Sequence, residues 1–528
     1  MKRKIVSMLM AAVFVLSLGG CAGQSSESEE KGDNILHYGI SVAPASVDPT
    51  NLTEIVSYEM VRQCYNGLTD RTESGELKPG LAESWDSEDG GKTWHFKLRE
   101  GVKFHSGEEL TADDVKFTFE YDLDPERGSS SADSLINIEG AAEIQDGSAT
   151  ELSGFEILND YEFNIHFVTN EAYFPEYCSV ENLYIVDQSV VEDAGEDWWK
   201  EKSAGTGPYE VTDFKADEKV MMEANSDYYD GAPEIDGIEF LLVEEDTTAM
   251  TMYENGELDV ISAPWAELEN IEADETLSKE LVEYPVADMT YLGMTQSLYK
   301  PFKDIRVRQA ISLVVSPDTI ADKIMAGTAF PLYGIIPVGM NGYNDQLKAP
   351  EYNPEKAREL LNEAGYNEEN PLPETTLYYM AMDEDNAVYI SEQLKNELNW
   401  NVTLESPDRS AYLDMLFEGQ CGFFIMGDTA SYGDPRAILG VSFADGSRRN
   451  FSGYYNEKQE AILAKTATMT DPEERNKLYQ EAEQAVLDDY GFIPMYTDKS
   501  YLLVKPEVKG MKYSGLGMDI MDKVSIEK

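Results

Sequence analysis

The chain has 528 residues, of which 101 are acidic and 41 basic, so that its formal charge at pH 7 is −60. Its hydrophobic fraction of 42% is enough to build cores over about three domains, which argues against global disorder. So acidic a chain is poorly suited to bind nucleic acid or to dock electrostatically on an anionic membrane, because both need a basic surface.

Residues 1–20 are predicted to be a signal peptide. Lys2, Arg3 and Lys4 precede an apolar run from 5 to 18, which is shorter than the about 20 residues of a membrane-spanning helix. The run ends at Leu18-Gly19-Gly20-Cys21, which resembles a bacterial lipobox. That resemblance implies cleavage before Cys21 and a diacylglyceryl thioether on its sulfur, and two acyl chains suffice for stable anchoring.

Residues 21–34 then form a polar tether of mostly Gly, Ser and Glu, which cannot bury a core. Three further cysteines, Cys64, Cys178 and Cys421, have a spacing that matches no zinc or redox motif. We expect them to be buried as small apolar side chains. The sequence does not decide whether two of them form a disulfide.

Strand and helix patterns alternate along the remaining chain and predict a mixed α/β protein. Residues 93–99 and 161–167 have apolar side chains at every second position, which is typical of half-buried strands. A helix is predicted over 354–364, with Asn353 as N-cap and Gly365 after its end, and another begins at Asp471.

Motifs for covalent catalysis are lacking. The sequence has neither a G-x-S-x-G elbow nor an H-E-x-x-H helix, and its four histidines share no metal-ligand spacing. We therefore expect no enzyme, no cofactor and no resident metal. A pair of catalytic carboxylates would remain undetected among 101 acids.

A long series of motifs resembles the peptide/nickel-type solute-binding proteins of ABC importers, solute-binding family 5. The landmarks come in the family's order: LAESW at 81–85, DGGKTWHFKLR at 89–99, GVKFHSG at 101–107, TADDV at 111–115, GTGPY at 205–209, ENGELD at 254–259, RVRQA at 306–310, NPEKARELLNEAG at 353–365 and FIPMY at 492–496. We expect most of these residues to maintain the fold rather than to touch ligand.

The resemblance implies a two-lobed α/β fold of the periplasmic-binding-protein type, with mixed sheets, a hinge between the lobes and an extra subdomain. Lobe I is expected to be discontinuous, built from 35–70, 195–285 and 490–528. The extra subdomain would take 71–194 and lobe II 286–489. Hinge closure around a ligand is the expected motion.

The expected ligand site is the segment from Asp428 to Arg436. Peptide binders of the family often have an Asp before a Tyr here, whereas this chain has Ser431 before Tyr432. We expect Asp428 or Asp434 to face a cationic ligand group, the hydroxyls of Ser431 and Tyr432 to line the site, and Arg436 to face a carboxylate. Arg448 and Arg449 are alternatives for the carboxylate.

These features together predict a monomeric receptor, anchored by lipid on the outer face of the cell membrane, that captures oligopeptides or dipeptides. It would deliver them to an ABC permease with its ATPase subunits, without nucleic acid as a partner. Three alternatives remain: a receptor of the same fold for a metal chelate, sugar or opine, a sensor or adhesin of that fold with no permease, and a secreted surface hydrolase.

Replacing the lipobox cysteine tests the anchor. In Cys21→Ser the acceptor thiol is gone, so lipid attachment and normal processing should both be blocked. In cells treated with globomycin the uncleaved precursor of the parent should accumulate. Mass spectrometry of the membrane-bound N-terminus measures both. A parent chain released into the medium without lipid, starting elsewhere than at residue 21, would contradict the prediction.

Overall fold

The computed structural model describes residues 34–52, 54–129, 131–195, 197–200, 202–518 and 520–527. The predicted signal peptide, the lipid site at Cys21 and all of the tether up to 33 lie outside this range. Within the described residues, no helix is long and apolar enough to cross a bilayer.

The secondary structure is mixed throughout. In chain order the strands are β1 Ile35–Ile40, β2 Thr69–Arg71, β3 Leu77–Pro79, β4 Ala82–Asp86, β5 Thr93–Leu98, β6 Phe155–Asn159, β7 Glu162–His166, β8 Tyr209–Lys215, β9 Lys219–Ala224, β10 Gly237–Leu242, β11 Val260–Ser262, β12 Leu281–Pro285, β13 Asp288–Met294, β14 Ala329–Pro331, β15 Thr375–Tyr378, β16 Val402–Glu405, β17 Phe423–Thr429, β18 Phe492–Val504, β19 Val508–Lys509, β20 Tyr513–Ser514, β21 Gly517–Met518 and β22 Ser525–Ile526. The α-helices are α1 Ile55–Cys64, α2 Ala112–Leu123, α3 Ala132–Leu135, α4 Ala141–Gln145, α5 Phe174–Tyr177, α6 Gln188–Ala194, α7 Asp246–Asn255, α8 Leu268–Ala273, α9 Leu277–Glu280, α10 Ile305–Ser312, α11 Pro317–Thr319, α12 Pro354–Glu363, α13 Glu384–Leu398, α14 Arg409–Phe417, α15 Arg436–Phe443, α16 Glu457–Thr466 and α17 Pro472–Asp488.

One large sheet runs through the molecule in the order β16-β15-β17-β13-β18-β11-β1-β10-β9-β8, and β12 and β14 also pair with β18. β18 is 13 residues long and belongs to both halves of this sheet. Its residues 492–498 pair with β13 and β14, whereas 499–504 pair with β12 and β11. We call the half with β1 and β8–β12 lobe I and the half with β13–β17 lobe II.

The chain crosses between the lobes at two adjacent places. One is inside β18, between 498 and 499, and the other is the link between β12 and β13. The two crossings are joined because Val286 N donates to the carbonyl of Asp498 at 2.8 Å. The predicted boundaries of the lobes stay a prediction. β18 was expected in lobe I, but its strand pairs with strands of both lobes.

An antiparallel sheet in the order β4-β5-β7-β6 forms the centre of the expected extra subdomain. The alternating pattern predicted for 93–99 is confirmed in β5, where Trp94, Phe96 and Leu98 are buried. The partner strand predicted over 161–167 is confirmed as β7. Helices α2 to α4 supply further apolar side chains to the same core.

Both predicted helices are confirmed. Asn353 caps α12 by accepting from Lys356 N at 2.9 Å, and Gly365 follows its end with φ +93°, a conformation that favours glycine. Asp471 caps α17 by accepting from Glu474 N at 3.1 Å. The buried face of α17 is less apolar than its pattern indicates, because Arg475 and Glu483 are buried there.

Several family landmarks have structural roles, as expected. The ring of His105 lies between Ser203 Oγ, 2.7 Å from Nδ1, and the carbonyl of Gly207, 2.9 Å from Nε2. Burial lowers the pKa of His105 to about 4, so the ring is neutral at pH 7. Its Nε2–H then donates to the carbonyl of Gly207 and its Nδ1 accepts from Ser203 Oγ. These two hydrogen bonds fix the position of the GTGPY loop.

The expectation for the three cysteines is confirmed. Cys64, Cys178 and Cys421 are free and at most 1% exposed. Their thiols are therefore apolar core groups, and burial raises the pKa of the Cys421 thiol to about 11.

Glycine at 205 is predicted to be required for folding. A Cβ there would lie 1.9 Å from the carbonyl oxygen of Cys64, an overlap with backbone. Gly205→Ala should therefore lower the free energy of unfolding by about 3 kcal/mol or more. The control is Gly422→Ala, whose Cβ would meet only ordinary contacts at 3.6 Å and beyond. Equal denaturation midpoints for the two variants would contradict this role.

Candidate functional site

Lobe I presents the carboxyl ends of parallel strands to the junction between the lobes. β1 pairs in parallel with β10 and with β11. β11 runs antiparallel to β18, with Ser262 opposite Leu502, and Ala263 N donates to the carbonyl of Tyr501 at 3.0 Å. The carboxyl end of β11, and with it those of β1 and β10, therefore points toward the crossing at 498.

Lobe II presents the carboxyl ends of its own parallel strands to the junction from the other side. β15 pairs in parallel with β16 and β17, and β17 runs antiparallel to β13, with Thr429 opposite Asp288. Since Thr290 of β13 lies opposite Tyr496, the carboxyl ends of β15, β16 and β17 also reach the crossing. Ligands of open α/β sheets bind outside the carboxyl ends of the strands, so the junction is the candidate cleft.

The segment from Asp428 to Arg436 lies at this edge. It begins with the last two residues of β17 and ends at the first residue of α15. Ala430 N donates to the carbonyl of Ala287 at 2.7 Å, which attaches the segment to the link between β12 and β13. Within the segment Thr429 and Ser431 are exposed, whereas Asp428, Tyr432 and Asp434 are buried.

Asp428 holds an arginine at the edge of the cleft. Its carboxylate accepts from Ser442 Oγ and from Arg449 Nη2, the latter at 2.5 Å. Burial raises the pKa of Asp428, and the two donors oppose that shift. The side chain of Arg449 is 44% exposed, so its guanidinium can reach an anionic ligand group.

Asp434 is part of a buried ion triad. Its Oδ2 lies 2.9 Å from Arg475 Nε, and Arg475 Nη2 lies 3.0 Å from Glu176 Oε1, with all three side chains at most 3% exposed. Burial and the charge of Asp434 raise the pKa of Glu176 to about 8. Because Glu176 belongs to α5 of the extra subdomain, the triad joins that subdomain to lobe II.

Tyr432 and Arg436 contact the same part of the subdomain. The rings of Tyr432 and Tyr177 meet edge to face, with centroids 5.1 Å apart. The guanidinium of Arg436 lies 4.7 Å from the ring centroid of Tyr173, and its Nη1 donates to the carbonyl of Leu463 at 3.3 Å. The second half of the segment thus packs on the subdomain.

Two acidic residues that the sequence did not single out stand at the crossing itself. Asp498 N donates to Asp288 Oδ1 at 2.9 Å, so the two aspartates are neighbours. Burial and the charge of Asp498 raise the pKa of Asp288 to about 8. The residues are 210 positions apart in the chain, so no local pattern could have paired them.

A third acid lies nearby in lobe II. Asp383 is 4% exposed and accepts from Tyr496 Oη at 3.1 Å, and burial raises its pKa to about 6. Among the described residues no group of three or more His, Cys, Asp or Glu is arranged to hold a metal ion.

Large apolar side chains also stand exposed beside the junction. Trp265, which follows β11 in lobe I, is 58% exposed, and its ring meets Tyr501 edge to face at 5.7 Å. Met382, which follows β15 in lobe II, is 80% exposed. The candidate cleft thus has exposed apolar side chains, acidic residues and the partly exposed Arg449 at its edges.

The chain is similar to several solute-binding proteins over most of its length. It is 28% identical to the periplasmic oligopeptide-binding protein OppA of Haemophilus influenzae, covering 93% of this chain and 92% of that protein. It is also 28% identical to heme-binding protein A of the same organism, covering 100% of both. The structure of the murein tripeptide-binding protein MppA in its unliganded open form has the same fold, with a TM-score of 0.85 at 24% identity over 94% of this chain and 97% of that one.

A model of one protein family matches the greater part of the chain. Residues 76–450 fit the bacterial extracellular solute-binding proteins, family 5 Middle. The matched range includes residues 76–194 of the expected extra subdomain, the link between β12 and β13, and the segment from Asp428 to Arg436. The chain therefore belongs to family 5 of the bacterial extracellular solute-binding proteins, the family that its motifs resemble.

Proposed function

We propose that this protein is the extracytoplasmic receptor of an ABC importer and captures oligopeptides or dipeptides between its lobes. A single observation carries the proposal: the carboxyl ends of the parallel strands of both lobes converge on one crossing, beside the segment from Asp428 to Arg436. A ligand bound there touches both lobes and stabilises their closed arrangement by those contacts.

The segment divides into two parts with different roles. Ser431 and Thr429 are exposed at the edge and offer hydroxyls to the ligand. Asp428 acts through Arg449, which it holds in place for a ligand carboxylate. Tyr432, Asp434 and Arg436 position the segment by packing on the extra subdomain.

The relatives and the N-terminus support the proposed cellular setting. A relative named as a periplasmic oligopeptide-binding protein supports an extracytoplasmic location and a peptide ligand. The lipobox-like Leu18-Gly19-Gly20-Cys21 supports a lipid anchor on the outer face of the membrane. The proposed partners are a permease and its ATPase subunits, and the protein works as a monomer without covalent chemistry.

A second candidate is capture of a non-peptide solute such as a metal chelate, a sugar or an opine. It is favoured by Ser431, which stands where peptide binders of the family often have an Asp. A relative named as a heme-binding protein supports it as well.

Thermal-shift measurements over peptides, sugars and metal chelates including heme test the function. A peptide at 100 times its dissociation constant should stabilise the fold by about 2.7 kcal/mol, a shift of a few degrees for a chain of this length. Small-angle scattering with that peptide should show a smaller radius of gyration. Shifts by non-peptide solutes alone would favour the second candidate, and turnover of chromogenic hydrolase substrates would count against both.

The role of Asp428 is tested by Asp428→Asn. The amide still bonds to Ser442 but no longer holds Arg449 by charge, so peptide affinity should fall about tenfold or more. Calorimetric titration with a peptide and its C-terminal amide measures the loss, which should be larger for the free carboxylate.

Asp445→Asn is the matched control, since Asp445 is an exposed acid just after α15 and its loss changes the net charge equally. It should bind as the parent does. If Asp428→Asn, Arg449→Ala and Arg436→Ala all bind with the parent's affinity, the segment is not part of the site.

A further inference from the structure

We propose that the interface between the extra subdomain and lobe II is a latch, which holds the cleft open and separates when the lobes close. The latch controls ligand affinity from outside the cleft, because closure has to break it. The proposal rests on the proposed function, in which lobe II closes on lobe I around a ligand.

The extra subdomain and lobe I form one body. Both covalent connections of the subdomain, at 70–71 and 194–195, lead into lobe I under the expected boundaries. Main-chain hydrogen bonds also join the two, since Ile185 N donates to the carbonyl of Asn66 at 3.1 Å. Lobe II is covalently connected to this body only at the two crossings. It is therefore the part that turns when the cleft closes.

Lobe II also contacts the subdomain over an extended interface. Three loops of the subdomain meet four separate parts of lobe II. The subdomain contributes 74–75, Gly90 and 172–177, and lobe II contributes Asn341, 433–436, 467–468 and Arg475. Rotation about one axis preserves only the contacts that lie on that axis. An interface of this extent therefore cannot remain whole when lobe II turns against the subdomain.

The contacts of this interface are close and buried. A Cβ at Gly433 would lie 2.1 Å from the carbonyl oxygen of Gly75, so the two main chains touch. Near them the buried side chains of Glu176 and Arg475 form an ion pair with a distance of 3.0 Å. Such contacts stabilise the arrangement in which they are made, and separating them requires free energy.

The cleft is open while these contacts are made. Trp265 at the edge of lobe I and Met382 at the edge of lobe II are both exposed, as is Ser431 of the candidate segment. The latch thus favours the open cleft over the closed one. A ligand that needs the closed cleft binds with an apparent affinity reduced in proportion to the closed fraction.

The test breaks the latch from the subdomain side with Glu176→Ala in the full mature chain. In the described part of the chain the Glu176 carboxylate accepts from Arg475, and its Oε2 has no partner. The loss therefore falls on the interface, while the Arg475–Asp434 pair inside lobe II remains. With alanine peptides of two to five residues as probes, the variant should bind the best peptide about tenfold more tightly than the parent.

Glu181→Ala is the matched control. Glu181 is also a buried acid of the subdomain, but its Oε1 lies 2.6 Å from Arg71 Nη2 and 3.6 Å from Arg62 Nη1. Arg62 belongs to α1 of lobe I, so this cluster lies within the body that the subdomain forms with lobe I. Its loss should lower the melting temperature and leave peptide affinity at the parent's value.

A cross-link tests the latch in the opposite direction, and it decides the proposal if Glu176→Ala does not fold. Ala172 N of the subdomain donates to the carbonyl of Ala467 of lobe II at 3.3 Å, so Ala172→Cys with Ala467→Cys places two thiols across the interface. The native cysteines are buried and free. The oxidised protein should bind peptide at least tenfold more weakly and keep its radius of gyration when peptide is added. Reduction should restore both properties.

The outcomes separate the latch from the proposed function. Equal peptide affinity of Glu176→Ala and the parent, or full binding by the oxidised cross-linked protein, overturns the latch and leaves the proposed function standing. A gain in affinity of the same size in Glu181→Ala overturns it as well. Failure of every peptide to bind the parent overturns the proposed function and the latch with it.

Discussion

β18 is the constraint on which the rest of the molecule depends. Its 13 residues complete the sheet of lobe II and then that of lobe I. Its neighbours β11 in lobe I and β13 in lobe II both run antiparallel to it. The carboxyl end of β11 and the first residue of β13 therefore both lie toward the crossing at residue 498 of β18. The cleft is therefore defined by hydrogen-bond register rather than by loops, and its floor is a strand shared by both lobes.

The extra subdomain limits how the lobes are placed. Arg475 reaches from α17 to Asp434 and to Glu176 of the subdomain, and all three groups are buried. Breaking such a pair by removing one partner commonly costs about 3–5 kcal/mol, because a charge is left without compensation. The same subdomain is tied to lobe I by Arg62, which donates to Tyr184 Oη at 2.6 Å. It thus has buried polar contacts with both lobes.

The role of each acidic residue in this protein depends on the partners of its carboxylate. With a net charge of −60, an acid at the surface carries little information about a site. Asp428 and Asp434 are held by arginines and serve to orient their neighbours. Asp288 accepts from the backbone N of Asp498 at the crossing, and neither aspartate has a basic partner among the described residues.

The sequence by itself determined the elements with strong local periodicity or capping, such as β5, α12 and α17, because these depend on residues within one or two turns. It also identified the family through ordered motifs, and it singled out the segment from Asp428 to Arg436 as the expected ligand site. Only the tertiary structure decided which side chains of this segment are engaged in contacts with the rest of the protein. Their partners Arg475, Tyr173 and Tyr177 come from distant parts of the chain. It alone brought Asp288 to Asp498, because strand register joins residues across 210 positions and no local pattern records it.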